Sequence, residues 1–261
     1  MKKTVNHPSF VVALPMYNEE SYAEKCLRTI FFVLEDLRVP NAVVAVNDGS
    51  RDHTLSILER MKPEFERLYV VDHSVNRGYG ASIRTAYKFA IEHEFDYVLF
   101  MDADLTQDPR CILDFLPHMT NGIDMIKASR YIDGSRVIGV PPFRVVVSSL
   151  GNAFARLAFH LPITDYTNGF RAVKTSLARQ FDLKENHFPI LVEEMWQAKQ
   201  LAKSYAEVSY SLTTRQNAGD SKFRYDYKVY ARYLKFCVLA LLHVPLKSTK
   251  NQKEKKNDRY E

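Results

Sequence analysis

The chain is poor in the features that would place it outside the reducing interior of a cell or beside nucleic acid. Its three cysteines, Cys26, Cys111 and Cys237, are an odd number and none lies in a CxxC pair. A disulfide framework or a zinc site is therefore excluded, and a reducing compartment fits. The eight histidines, His7, His53, His73, His93, His118, His160, His187 and His243, show no HxxxH or similar spacing. They read as surface or core residues. Met1 to Ser9 is polar, and the first apolar run, Phe10 to Leu14, is too short for a secretory signal. The expected place is the cytosol. The apolar run Phe236 to Leu242 covers only ~10 Å as a helix, far less than the ~30 Å bilayer core, so it cannot span. No GxGxxG follows the first strand, and the Gly78-Tyr79-Gly80-Ala81 stretch has no acid in the expected place after it. That makes a Rossmann dehydrogenase the weakest of the enzyme readings. No helix-turn-helix or aromatic-interleaved RNA-binding motif is present, so no nucleic-acid partner is expected.

What the chain does have is size and an uneven charge. Its 261 residues, 46% hydrophobic, can build one large domain with an appendage. Of the net charge of +5, residues 222–261 carry +7, from 11 Lys/Arg against 4 Asp/Glu. Residues 1–221 are left at −2. The basic character belongs to the C-terminus.

Short β-branched runs alternate with helical patterns through the first half. Phe10–Leu14, Ala42–Val46, Leu68–Val71, Tyr97–Met101 and Asp124–Ala128 read as strands, and Glu20–Leu37, Thr54–Met61, Gly80–His93 and Pro109–Met119 as helices. This is the signature of an α/β fold with a largely parallel sheet covered on both faces. Past Ser129 come a loop at Asp133–Pro142, a long helix at Phe143–Phe159, a loop at Pro162–Gly169, a helix at Glu193–Lys203 and a strand at Ala206–Ser211. A last helix, Tyr225 to about His243, sets Lys228, Arg232 and Lys235 on one face and Tyr230, Tyr233, Leu234, Cys237 and Leu241 on the other. With the basic tail it suits either packing onto the domain or a place in a membrane interface. The expected division is a domain over 1–223, this amphipathic helix over 224–245 and a tail over 246–261.

Three polar segments follow apolar strands. Tyr97-Val-Leu-Phe-Met101 runs into Asp102-Ala103-Asp104, whose paired carboxylates suit a hard divalent cation, Mg²⁺ or Mn²⁺, and such ions hold diphosphates. Pro15-Met-Tyr17-Asn18-Glu19 follows the first strand and Asn47-Asp48-Gly49-Ser50 the second, where open α/β sheets bind nucleotides. Singly, each is equally an ordinary turn or solvated loop. At successive strand ends they converge.

With Asn76-Arg77-Gly78-Tyr79-Gly80-Ala81, Met101-Asp-Ala-Asp-Leu105 and Ser129-Arg130-Tyr131, these segments stand in the order found in inverting family 2 glycosyltransferases of GT-A fold, which the chain resembles over roughly residues 9–223. Asn168-Gly169-Phe170-Arg171, Glu193-Glu194-Met195, and Arg215 with Gly219-Asp220-Ser221-Lys222 are similar to the dolichyl-phosphate mannosyltransferase and polyprenyl-phosphate glucosyltransferase branch. The resemblance implies that Asp102 and Asp104 bind the metal and donor diphosphate, and that Pro15, Tyr17, Glu19, Asp48 and Gly78 form the nucleotide pocket. It implies that Arg130, Arg144 and Ser148 hold the donor and lipid phosphates. Asn168, Arg171, Arg215 and Lys222 become acceptor-loop candidates. Thr106 stands where some relatives carry a Gln of the metal shell, leaving that place to water or Gln107, and Asn47 replaces an acid.

The reaction so implied moves a sugar from a nucleoside diphosphate sugar, of the GDP-mannose or UDP-glucose class, to a polyprenyl or dolichyl phosphate, with inversion. Such a phosphate has a second pKa of about 6 and is already anionic at neutral pH. No catalytic base is needed, and none is evident. The alternatives are the same fold acting on a saccharide hydroxyl, and a non-catalytic nucleotide-sugar-binding subunit. The cytosolic face of a membrane, a small membrane subunit or a second copy of the chain are the partners left open.

Overall fold

Val11–Leu14, Ala42–Val46 and Tyr97–Phe100 are apolar without alternation, as strands buried on both faces must be, and every one of these residues is buried. The computed structural model describes residues 7–214 and 227–246. In chain order the elements are β1 (Phe10–Met16), α1 (Ala23–Glu35), β2 (Asn41–Asn47), α2 (Thr54–Met61), β3 (Leu68–Asp72), α3 (Tyr79–Glu92) and β4 (Tyr97–Phe100). A 3-10 turn at Pro109–Cys111 leads into α4 (Ile112–Thr120), followed by β5 (Met125–Ser129), β6 (Arg136–Val137), α5 (Pro142–Phe159) and β7 (Arg171–Lys174). The chain continues with α6 (Thr175–Ala178), α7 (Ile190–Leu201), β8 (Tyr205–Ser209), β9 (Ser211–Leu212) and α8 (Tyr227–Leu241).

Seven strands form one sheet in the order β3-β2-β1-β4-β7-β5-β8, and β6 pairs with β9 separately. All neighbours in the large sheet are parallel except β7, which runs antiparallel to both β4 and β5. Leu27, Ile30, Leu58 and Phe115 from α1, α2 and α4 cover one face. Ile83, Ala155, Met195 and Phe236 from α3, α5, α7 and α8 cover the other. The carboxyl ends of β1, β2 and β4 therefore open together at one edge, the place where such sheets bind ligands.

The first-half elements lie within a few residues of their sequence expectations, but β7 was not among them. Arg-Ala-Val-Lys is short and charged at both ends, and only its pairing partners make it a strand. The strand expected at Ala206–Ser211 breaks at Tyr210, because β8 pairs with β5 while β9 turns to β6. On α8 the expected apolar face is rotated: Phe236, Cys237 and Ala240 are buried, whereas Tyr230, Leu234 and Leu241 are 41%, 51% and 49% exposed. Among the described residues no helix is long and apolar enough to cross a membrane. Arg215, Lys222 and the tail from 247 lie outside the described residues.

Strand β7 places Arg171 opposite Phe100 on one side and Lys127 on the other. Its guanidinium stacks 4.3 Å from the Phe100 ring centroid and pairs with Glu194 of α7, Nη2 to Oε2 at 2.6 Å. Both side chains are 0% exposed. Removing one member of such a pair strands the other charge, so Arg171→Met should destabilise the protein by about 3–5 kcal/mol. Adding Glu194→Leu should recover most of that loss, as read from urea denaturation midpoints.

Candidate active site

Strand β4 ends at Phe100, so Asp102 and Asp104 sit on a turn beyond it rather than on alternate strand positions. Leu105, at φ 58°, takes the left-handed conformation that a bulky side chain rarely adopts, a local strain of the kind found at functional sites. Two side chains hold the turn. Asp104 Oδ1 accepts from Thr106 N at 3.0 Å and Thr106 Oγ1 at 2.7 Å. Gln107, 1% exposed, donates from Nε2 to Asp102 Oδ2 at 2.8 Å and accepts from Asp102 N at 3.0 Å. Gln107 therefore orients the first acid. The buried Cys26 thiol is pushed up by burial and then by Asp104, Glu19 and Asp102.

The chemistry of two carboxylates two residues apart fits a hard divalent cation whose remaining positions would be filled by diphosphate oxygens and water. Among the described residues no group of three or more His, Cys, Asp or Glu could hold a metal without such help.

The loops after β1 and β2 are laced together. Asn18 N donates to Ser50 Oγ at 2.9 Å, Arg51 N to Asn18 Oδ1 at 2.8 Å, and Glu19 N to Thr54 Oγ1 at 2.7 Å. Pro15, Tyr17 and Glu19 stand on this frame. Asp48 has a different position from the one its motif suggests. It is 3% exposed, and its carboxylate accepts from Arg77 N and Gly78 N at 3.0 and 2.8 Å and pairs with His73 Nδ1 at 2.8 Å. It shapes the turn into α3. Gly78 belongs to the same device: at φ 92°, an added Cβ would lie 2.3 Å from Asn186 O, so only glycine lets the 185–187 segment close on α3.

A cavity of about 630 Å³ extends from Asp102 and Gln107 past Arg130, Arg144, Ser148, Asn168 and Gly169 to a mouth between α5 and α8. Arg144, Ser148, Gly151 and Ala155 line it from α5 at helical spacing, which is one face of one helix. Arg130, 15% exposed, is gripped by Asp165, which is 0% exposed, through Nε and Nη2 at 2.7 and 2.8 Å. Burial opposes its charge, but Asp165 more than compensates and holds the guanidinium protonated. Ser148 Oγ lies 2.9 Å from Tyr131 OH.

Two acceptor-loop candidates are corrected by their burial. Arg171 is a core ion-pair residue, as described above. Asn168, 6% exposed, donates from Nδ2 to Ala128 O at 2.7 Å and anchors the loop, although it still lines the cavity. Gln107, the alternative to water in the metal shell, instead holds Asp102, while Asp165, Thr167, Asn152 and Lys127 have no place in the sequence expectations. Only Lys127 carried a signal, a lysine within an otherwise apolar strand.

Burial, with Arg171 adding to it against Asp165 and Glu194, lowers the Lys127 ammonium from 10.5 to about 8. Its folded pKa lies below its unfolded one, so the unfolded chain binds more protons between these values. Stability contributed by this group therefore rises with pH from about 8 to 10.5. Urea denaturation across that window should show wild type gaining on Lys127→Met as pH rises.

The chain is 26% identical over 218 residues to the Undecaprenyl-phosphate mannosyltransferase of Micrococcus luteus, covering 80% of this chain and 85% of that one. It is 24% identical over 210 residues to the Polyprenol monophosphomannose synthase of Mycolicibacterium smegmatis, covering 79% and 78%. It is 27% identical over 217 residues to the Dolichol-phosphate mannosyltransferase of Pyrococcus furiosus, covering 82% of this chain and 58% of that protein. The fold matches that of glucosyl-3-phosphoglycerate synthase from Mycobacterium tuberculosis, solved with Mn²⁺, UDP and glucosyl-3-phosphoglycerate, at a TM-score of 0.64 and 17% identity over 92% of this chain and 82% of that one. Residues 11–181 match the profile described as Glycosyl transferase family 2, and the chain belongs to that family as a glycosyltransferase of GT-A fold.

Proposed function

We propose that the protein transfers a sugar from a nucleoside diphosphate sugar to a polyprenyl phosphate, with inversion, a divalent cation and a peripheral position on a membrane. The observation that carries this reading is the lining of the cavity: Asp102, Arg130 and Arg144 in one part, and apolar residues of α5 and α8 in another. On α5 the outward residues Phe143, Val146, Leu150, Phe154 and Leu157 are 70%, 55%, 67%, 43% and 67% exposed. On α8, Tyr227, Leu234 and Leu241 are 76%, 51% and 49% exposed, and Leu242 just beyond it is 67% exposed. Two adjacent apolar stripes of this size mark a lipid or partner surface. The sequence relatives named for mannose transfer to polyprenyl phosphates favour a mannosyl donor.

The chemistry follows from the residues. The acceptor phosphate is already ionised, so the protein must bring two anions together and stabilise the departing diphosphate. Among the described residues Arg130, fixed by Asp165, makes its side-chain hydrogen bonds through Nε and Nη2, which leaves Nη1 to offer to a phosphate oxygen. Arg144 and Ser148 lie on the same cavity wall. A bound Mg²⁺ or Mn²⁺ at Asp102 and Asp104 supplies Lewis-acid stabilisation of the leaving group. Pro15, Tyr17 and Glu19 frame the nucleotide. The unbroken apolar mouth favours a lipid over a saccharide hydroxyl.

The test is incubation with Mg²⁺ or Mn²⁺, radiolabelled GDP-mannose or UDP-glucose, and polyprenyl phosphate, counting label in the organic phase. Label that requires the lipid phosphate supports the reading; transfer to a saccharide alone overturns it. Asp104→Ala and Arg130→Ala should each reduce kcat by ~10²–10³-fold with the fold intact by circular dichroism. Leu150→Glu together with Leu234→Glu should abolish co-sedimentation with anionic vesicles while leaving nucleotide binding unchanged.

A further inference from the structure

We propose that the backbone N–H of Gly169 donates to a phosphate oxygen in the cavity, and that Lys127 and Arg171 are positioning residues that aim it. This rests on the reading that phosphate groups occupy the cavity. The loop from Thr164 to Phe170 is held almost residue by residue. Thr164 N and Asp165 N donate to Glu207 at 2.8 and 3.3 Å, Tyr166 N to Asn152 Oδ1 at 2.7 Å, Asn168 N to Asp165 Oδ1 at 3.2 Å, and Phe170 N to Asn168 Oδ1 at 3.0 Å. Among the described residues the N–H groups of Thr167 and Gly169 take no protein acceptor, and both residues line the cavity.

The direction is fixed only at Gly169. Lys127 Nζ donates to Asn168 O at 2.7 Å from within the core, and the peptide bonds are all trans. In a trans peptide the carbonyl and the following N–H point opposite ways, so the Gly169 N–H leaves the loop on the side away from the lysine. Arg171 Nη1 holds the next carbonyl, Gly169 O, at 2.8 Å. An ammonium on the carbonyl polarises its peptide and strengthens the N–H as a donor. Glycine is required here: an added Cβ would stand 2.8 Å from Tyr79 OH and 3.6 Å from Asp102 Oδ1. The bare backbone is thus beside the acid that would hold the diphosphate. A buried lysine is costly unless its charge is used, and this one is spent on a loop carbonyl.

Labelling with ¹³C-carbonyl asparagine and ¹⁵N-glycine isolates two amides, those of Gly122 and Gly169, because only these glycines follow asparagine. An Asn121→Ser variant removes the Gly122 signal and so assigns both. The full chain is titrated separately with GDP plus Mg²⁺ and with farnesyl phosphate, and binding is measured by calorimetry. The expected result is a downfield shift of the Gly169 proton with one of the two ligands, which identifies whether donor or acceptor phosphate is held, while Gly122 does not move. In Lys127→Met the shift at saturation should shrink, with kcat falling ~10-fold or more and KM little changed. Saturated binding of both ligands without movement of Gly169, or a full shift in Lys127→Met, overturns the inference and leaves the functional reading standing. If calorimetry detects neither ligand, the functional reading fails and the inference with it.

Discussion

Three cations lie beneath one cavity, and that arrangement is stable only because acids are buried with them. Arg130 pairs with Asp165 and Arg171 with Glu194, both acids being 0% exposed, and Lys127 is favoured by the same two acids. Any one of these charges alone would be expelled or neutralised in such a place. Strand β7 makes the arrangement possible. By running against its neighbours it sets Arg171 beside Lys127, and the loop before it delivers Asp165 to Arg130. The charges of this layer are thus balanced within the sheet, and of the three cations Arg130 is the one that lines the cavity wall.

Much of this was legible in the sequence, for a physical reason. Apolar runs ending in Asp102/Asp104, Pro15–Glu19 and Asn47–Ser50 are local signals, and the parallel sheet brings successive strand ends together without further information. Burial is not local. Nothing in Asn168-Gly169-Phe170-Arg171 separates an arginine that reaches a ligand from one that pairs with Glu194 some twenty residues away. Asp48 shows the same limit: its motif places it at a strand end, but only the fold reveals that Arg77 N and Gly78 N claim its carboxylate. Lys127 was visible as an anomaly whose use depended on a loop forty residues later.

The two halves of the site differ in how they are held. The side after β1 and β2 rests on loop-to-loop hydrogen bonds, Asn18 with Ser50 and Glu19 with Thr54. The other side rests on helices α5 and α8, each buried along one face and apolar along the opposite one. Arg232 of α8 reaches Glu185 at 3.2 Å, and the 185–187 segment packs against the start of α3. A contact path therefore runs from the outer helix to the turn that Asp48 shapes.

The outward stripes of α5 and α8 change what concentration means for such an enzyme. If the stripes rest in a leaflet, the acceptor is found by lateral diffusion in two dimensions, and its relevant measure is mole fraction in the membrane rather than molarity. The nucleotide sugar still arrives from bulk water in three. Rate would then respond to lipid dilution at constant total lipid phosphate, and the same protein in detergent would follow a different law, set by the number of acceptors per micelle.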